Sequence, residues 1–126
     1  MNIFIICSVR KASDRDKLLL EYYVNDLESQ GNNVHLPHRD TNQEASGIEI
    51  CSQNKEAIKK ADEIHVFYSN KSEGTLFDLG VAFAMNKKIR VAKNIKYGLG
   101  KSFPRMIDEW EQQTMLYDME KEGLEK

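Results

Sequence analysis

The run NIFIICSV at residues 2 to 9 is apolar almost without interruption. An exposed or one-sided strand alternates apolar and polar residues. A continuous run of this length is expected where both faces are covered, as in a parallel sheet sandwiched between helices. The rest of the chain follows from that requirement. Ser13, with Asp16 three residues on, gives a capping pattern that opens a helix carrying Leu18, Leu19, Tyr22, Tyr23 and Leu27 at helical spacing and stopping near Gly31. NVHL (33 to 36) reads as a second strand and PHRDTNQEAS as a polar loop with room for function. Ile48, Cys51, Ala57 and Ile58 mark a second helix to about Ala61, followed by a third strand, EIHVFY (63 to 68). SEGTLFDLGVAFA (72 to 84) supplies a turn and a helix to about Met85, and KIRVA (88 to 92) a fourth strand. The last third reads as helix, interrupted by a short strand near TMLY and ending in a charged tail, 118 to 126, expected to fray.

Strands alternating with helices predict an α/β fold: a single-domain, flavodoxin-like or Rossmann-like three-layer sandwich with a mainly parallel sheet of four or five strands. At 126 residues the chain fits one domain spanning 1 to 126. A net charge of −2 argues against a surface for polymeric nucleic acid, which needs a basic patch. No apolar run reaches the roughly 18 residues of a membrane span, and the short IFIIC start has neither the basic flank nor the length of a signal peptide. The expected setting is the cytoplasm, with no membrane partner. Cys7 and Cys51 are read as free thiols. His35, His38 and His65 do not have metal-ligand spacing, so neither a metal nor a cofactor is expected.

In open α/β sheets ligands collect beyond the carboxyl ends of the strands. Those ends carry Ser8 and Arg10, then Arg39 and Asp40, then Ser69 to Gly74. Just beyond the last group Asp78 stands out, a carboxylate set among Leu76, Phe77, Leu79 and Val81. Two readings of it stay open here. Thr75 and Asp78 have capping-box spacing, so Asp78 can satisfy a backbone amide at the helix start, or it can serve chemistry at the strand-end crevice. Ser72 and Gly74 before a helix amino terminus also suit an anion. Asn54 shares a helical face with Ile50, Cys51 and Ile58 and is expected to point inward.

Three blocks together, IFIICSVR, LPHRDTNQ and NKEAIKKADEIHVFYSNKSEGTLFDLGVAFAMNKKI, resemble the nucleoside 2-deoxyribosyltransferase family, including its hydrolytic relatives, the 2'-deoxynucleoside 5'-phosphate N-hydrolases. The resemblance covers roughly residues 2 to 110. It implies a retaining mechanism in which a carboxylate attacks the anomeric carbon of a nucleoside or nucleotide and water or a second base completes the reaction. Asp78 occupies the nucleophile position, where the family usually has glutamate, longer by one carbon–carbon bond of ~1.5 Å. Asn54 stands where an aspartate is general near sugar and base, and Phe4 where a tyrosine is typical. An amide cannot supply a proton, which makes Asp40 the substitute candidate for acid/base work. Ser72 matches the serine by which the nucleotide hydrolases receive a 5'-phosphate, and Ser8 and Arg10 match their Ser-x-Arg. The resemblance therefore implies a site of Asp78 and Asp40 with Phe4, Ser8, Arg10, Arg39, Asn54, Ser72 and Gly74 around a small nucleoside or nucleotide. It also implies a homodimer or higher homo-oligomer, across which Lys101 and Ser102 of GKSFPRM reach. Two alternatives are a non-catalytic nucleotide-binding module in which Asp78 only caps its helix, and a hydrolase of another glycosidic bond, of NAD or cytokinin type.

Overall fold

The computed structural model describes residues 1–9, 12–92 and 101–123. Within them the order is β1 (Asn2–Ile6), α1 (Asp14–Ser29), β2 (Asn33–His35), α2 (Pro37–Asp40), α3 (Gly47–Lys60), β3 (Glu63–Val66), α4 (Glu73–Ala84), β4 (Lys88–Val91) and α5 (Phe103–Lys121). The four strands form one parallel sheet ordered β2-β1-β3-β4. The apolar opening run is its centre: Ile3, Phe4, Ile5 and Ile6 are each at most 2% exposed. Alternate residues serve the two layers. Ile3, Ile5 and Cys7 pack with Leu20 and Val24 of α1, whereas Phe4 and Ile6 pack with Ile58 of α3 and Leu79 and Ala82 of α4. The three-layer α/β sandwich is therefore the observed fold, with four strands.

The helix boundaries have local causes. Ser13 caps α1 by accepting from the Asp16 amide at 3.1 Å, and Gly31 after its end has φ of 92°, a conformation that glycine adopts without steric cost. Ser46 caps α3 and Ser102 caps α5 in the same way. α1 is rotated relative to a simple count of its apolar residues. It buries Leu20 and Val24, while Leu18, Leu19 and Tyr22 are half or more exposed.

Two expectations are corrected. The stretch after β2 begins with a single helical turn, α2, because Pro37 takes the first helical position and Thr41 N closes on Pro37 O at 3.0 Å. TMLY is helical and not a strand. Ile107, Trp110 and Thr114, at spacings of three and four, form the buried stripe of one continuous α5. Lys87 and Lys88 tie β4 to its neighbours: Lys87 Nζ donates to the carbonyls of Lys59 and Ala61, and Lys88 pairs with Asp118.

α5 also finishes the sheet. The Ile89 amide donates to Thr114 Oγ1 at 3.1 Å and the Val91 amide to the Glu111 carboxylate, so helix side chains take the hydrogen bonds that a fifth strand would take. At the other edge, Arg39 donates to the Val34 carbonyl at 2.9 Å. A buried polar line crosses the α1 face. Tyr23 Oη bonds His65 Nδ1 at 2.5 Å, His65 Nε2 meets Glu63 at 2.9 Å, and Glu63 pairs in turn with Arg90.

Candidate active site

The carboxyl ends of β1 and β3 diverge to neighbours on opposite sides, which makes the gap between them the switch point of the sheet. A cleft of about 380 Å³ opens there, walled by Cys7 and Ser8 after β1, Tyr68 and Ser69 after β3, and Leu20 and Tyr23 of α1. A wider, more open groove of about 720 Å³ runs along the β2 edge past Glu28, Arg39 and Asp40. Position favours the first as a ligand site, because it lies where the chain reverses its order.

α4, which packs on the sheet face opposite α1, carries Asp78; no α4 residue is among those that wall this cleft. Its amino-terminal cap is Ser72, whose Oγ accepts from the Thr75 amide at 3.1 Å. The cap therefore falls three residues earlier than Thr75-x-x-Asp78 spacing predicts. Asp78 is the sixth residue of α4 and takes no part in the cap. It is only 9% exposed, and its hydrogen bond among the described residues comes from Asn54 Nδ2 at 3.4 Å. Burial pushes its carboxyl up to about 6, partly offset by that bond. Asp78 is thus a carboxylate held in an apolar setting with a single neutral donor and no structural debt to the backbone.

Around it, α3 turns Asn54 inward as its helical face requires; the residue is 7% exposed. Asn54 Oδ1 receives Thr41 Oγ1 at 2.6 Å, and Thr41 Oγ1 lies 2.8 Å from His35 Nε2. The His35 ring stacks on Phe4 with centroids 5.2 Å apart and planes at 14°. Phe4 is fully buried, so it supports this assembly from below and has no surface to offer a substrate. Cys7 joins the cleft to Asp78. Burial, and then the nearby Asp78 charge, push its thiol up to about 12, leaving it protonated and a poor nucleophile.

Arg39 and Asp40 are occupied elsewhere. Arg39 forks onto Glu28 at 3.1 and 3.2 Å and bonds Asp40 at 2.9 Å. Asp40 accepts from the Leu36 amide at 2.8 Å. Burial acts to raise the Asp40 carboxyl, but the Arg39 and Leu36 hydrogen bonds outweigh it and hold the group below its usual value, the wrong direction for a proton donor. The geometry thus gathers Phe4, Asn54 and Asp78 and sets Asp40 and Arg39 on a separate ion-paired turn. Ser8 lines the cleft; Ser72 and exposed Gly74 begin α4; Arg10 lies outside the described residues. Thr41 and His35 were not singled out by sequence reasoning, since nothing local ties them to a residue 24 positions beyond Asn54.

Comparison with solved structures places the fold. The chain is similar to the structure of the Clostridium botulinum CMP N-glycosidase BcmB, with a TM-score of 0.54, 24% sequence identity, and 87% of this chain and 80% of that one covered. At that identity the likeness is one of fold. No family model and no curated protein matches the chain. Among the described residues, no helix is long and apolar enough to cross a membrane, and no three His, Cys, Asp or Glu side chains gather as metal ligands.

Proposed function

We propose that this chain is an enzyme that cleaves the N-glycosidic bond of a nucleoside 5'-monophosphate, with Asp78 as the nucleophile. The observation that carries the reading is the state of Asp78: buried, free of capping duty and, among the described residues, bonded to one amide. A carboxylate so placed costs stability, and such a cost is what a reactive group incurs. The motif blocks that resemble the deoxyribosyltransferase family and the fold shared with a CMP N-glycosidase support the same reading.

In the first step an Asp78 oxygen bonds to the anomeric carbon as the carbon–nitrogen bond breaks. The base leaves with the bonding electron pair and takes its proton from solvent. In the second step water attacks the same carbon as its bond to the Asp78 oxygen breaks and gives up a proton to solvent, releasing the sugar phosphate and restoring the Asp78 carboxylate. A deoxyribose lowers the barrier, because no 2'-hydroxyl withdraws electrons from the developing cation. The phosphate fits the start of α4, where backbone amides and the helix dipole favour an anion. Ser72 Oγ accepts one amide and keeps its own proton to donate. Thr75 Oγ1, fully buried with no hydrogen-bond partner among the described residues, lies in the same turn.

Chromatography of free base released from deoxynucleosides, their 5'-monophosphates and CMP, with and without a second base, tests this. Release from monophosphates but not from free nucleosides is expected; a new nucleoside would mean transfer, and nucleotide binding without turnover would leave a binding module. Gly74→Ala belongs in the same experiment. A Cβ there would meet only Ser72 Oγ, at 3.9 Å, so the fold accepts it and gains about 0.5–1 kcal/mol from a less flexible unfolded chain. KM for monophosphates should nevertheless rise, since the methyl group stands among the amides offered to the phosphate.

The reading includes a homodimer. The outer face of α4 presents Phe77 and Phe83, 54% and 60% exposed, around Gly80, which has open space where a side chain would project. Sedimentation as a 14.6 kDa monomer at assay concentration would remove this part.

A further inference from the structure

The hydrogen bonds behind Asp78 run in one direction. An ionised carboxylate only accepts, so Asn54 must present Nδ2 to it. That leaves Asn54 Oδ1 as an acceptor, which the Thr41 hydroxyl fills at 2.6 Å by donating. The Thr41 oxygen, its proton used, then accepts from His35 Nε2 at 2.8 Å. Phe4, stacked on the imidazole, fixes the ring plane. Each link comes from a different element: β2 gives His35, the residue after α2 gives Thr41, α3 gives Asn54 and α4 gives Asp78.

An asparagine amide has two ends of nearly equal size. Turned over, Asn54 would set its carbonyl against the Asp78 carboxylate, acceptor against acceptor, in a site with little water to relieve it. Packing alone does not choose between these orientations, but a hydroxyl obliged to donate does. We propose that Thr41 is a positioning residue for Asp78, locking the Asn54 amide with its donor end toward the carboxylate, and that His35 in turn orients Thr41. The assignment rests on Asp78 as the nucleophile. It accounts for an amide where the related enzymes carry an acid: here the residue holds the nucleophile by a directed hydrogen bond.

The test is titration of the Asp78 carboxyl carbon by ¹³C NMR, alongside kcat and KM for base release, in wild type, Thr41→Val, Thr41→Ser and His35→Leu. Asp78 is faced by Asn54 from α3 and Cys7 just after β1, and His35 by Arg39 and Asp40 of α2, so no other group among these is altered. Losing a hydrogen bond to the charged form should raise the Asp78 pKa in Thr41→Val by about one unit. kcat at neutral pH should fall about 10-fold, with KM little changed and the acid limb of the pH profile displaced in the same direction. Thr41→Ser should titrate as wild type, and His35→Leu should move as Thr41→Val does. The proposal is overturned if Asp78 titrates alike in wild type and both disrupting variants, or if Thr41→Ser behaves as Thr41→Val. A shift in titration without turnover by wild type would support the positioning role and remove the glycosidase reading; turnover with an unmoved titration would do the reverse.

Discussion

Asp78→Asn is expected to lower base release from nucleoside 5'-monophosphates by on the order of 10³-fold or more, because an amide of the same shape cannot form the glycosyl ester. Asparagine preserves the size of the side chain, so lost activity would report lost chemistry and not a collapsed site. Binding is expected to survive, since the phosphate contacts proposed for Ser72 and Gly74 are separate from the carboxylate. Steady-state rates together with nucleotide affinity by calorimetry check both halves. Activity within tenfold of wild type would remove Asp78 from the mechanism.

The same substitution should stabilise the protein, and only in one pH range. The Asp78 carboxyl ionises near 3.8 in the unfolded chain and at about 6 in the fold. Below 3.8 it is protonated in both states and nothing is lost. Between 3.8 and about 6 the unfolded chain gives up its proton first, so stability falls as pH rises, and above about 6 the loss is constant. The interval corresponds to roughly 2–3 kcal/mol as an order of magnitude. Thermal unfolding of wild type and Asp78→Asn should therefore diverge from pH 4 to pH 7, with the variant melting higher at neutral pH. Equal melting temperatures at pH 7 would mean that Asp78 is relieved by something other than Asn54. A gain in stability joined to a loss of turnover would identify Asp78 as a group retained for chemistry at the expense of the fold.

Much of the architecture was legible because it depends on local pattern. The continuous apolar run at residues 2 to 9 demanded two covering layers, and Ser13 with Asp16 marked the start of α1. The helical face of α3 turned Asn54 inward as its spacing implied. Where the reading failed, two local patterns competed. Ser72-x-x-Thr75 and Thr75-x-x-Asp78 both have capping spacing, and only the point at which the chain leaves β3 decides between them. TMLY has strand-like composition, but Thr114 continues the buried stripe of Ile107 and Trp110, and tertiary packing overrides propensity. The polar partnerships were not legible at all. Tyr23 meets His65 across 42 residues, and Thr41 meets Asn54 across a helix boundary. No spacing rule connects such pairs, because the sheet order that joins them is itself a result of folding.

Thr114 and Glu111 along β4, and Arg39 against β2, bear on the behaviour of this protein in a crowded solution. A parallel sheet with free margins is a template on which other chains can add strands and grow into aggregates. Here one margin is hydrogen-bonded to α5 side chains and the other has a guanidinium on its Val34 carbonyl. The addition of a further strand at either margin would have to displace these side chains.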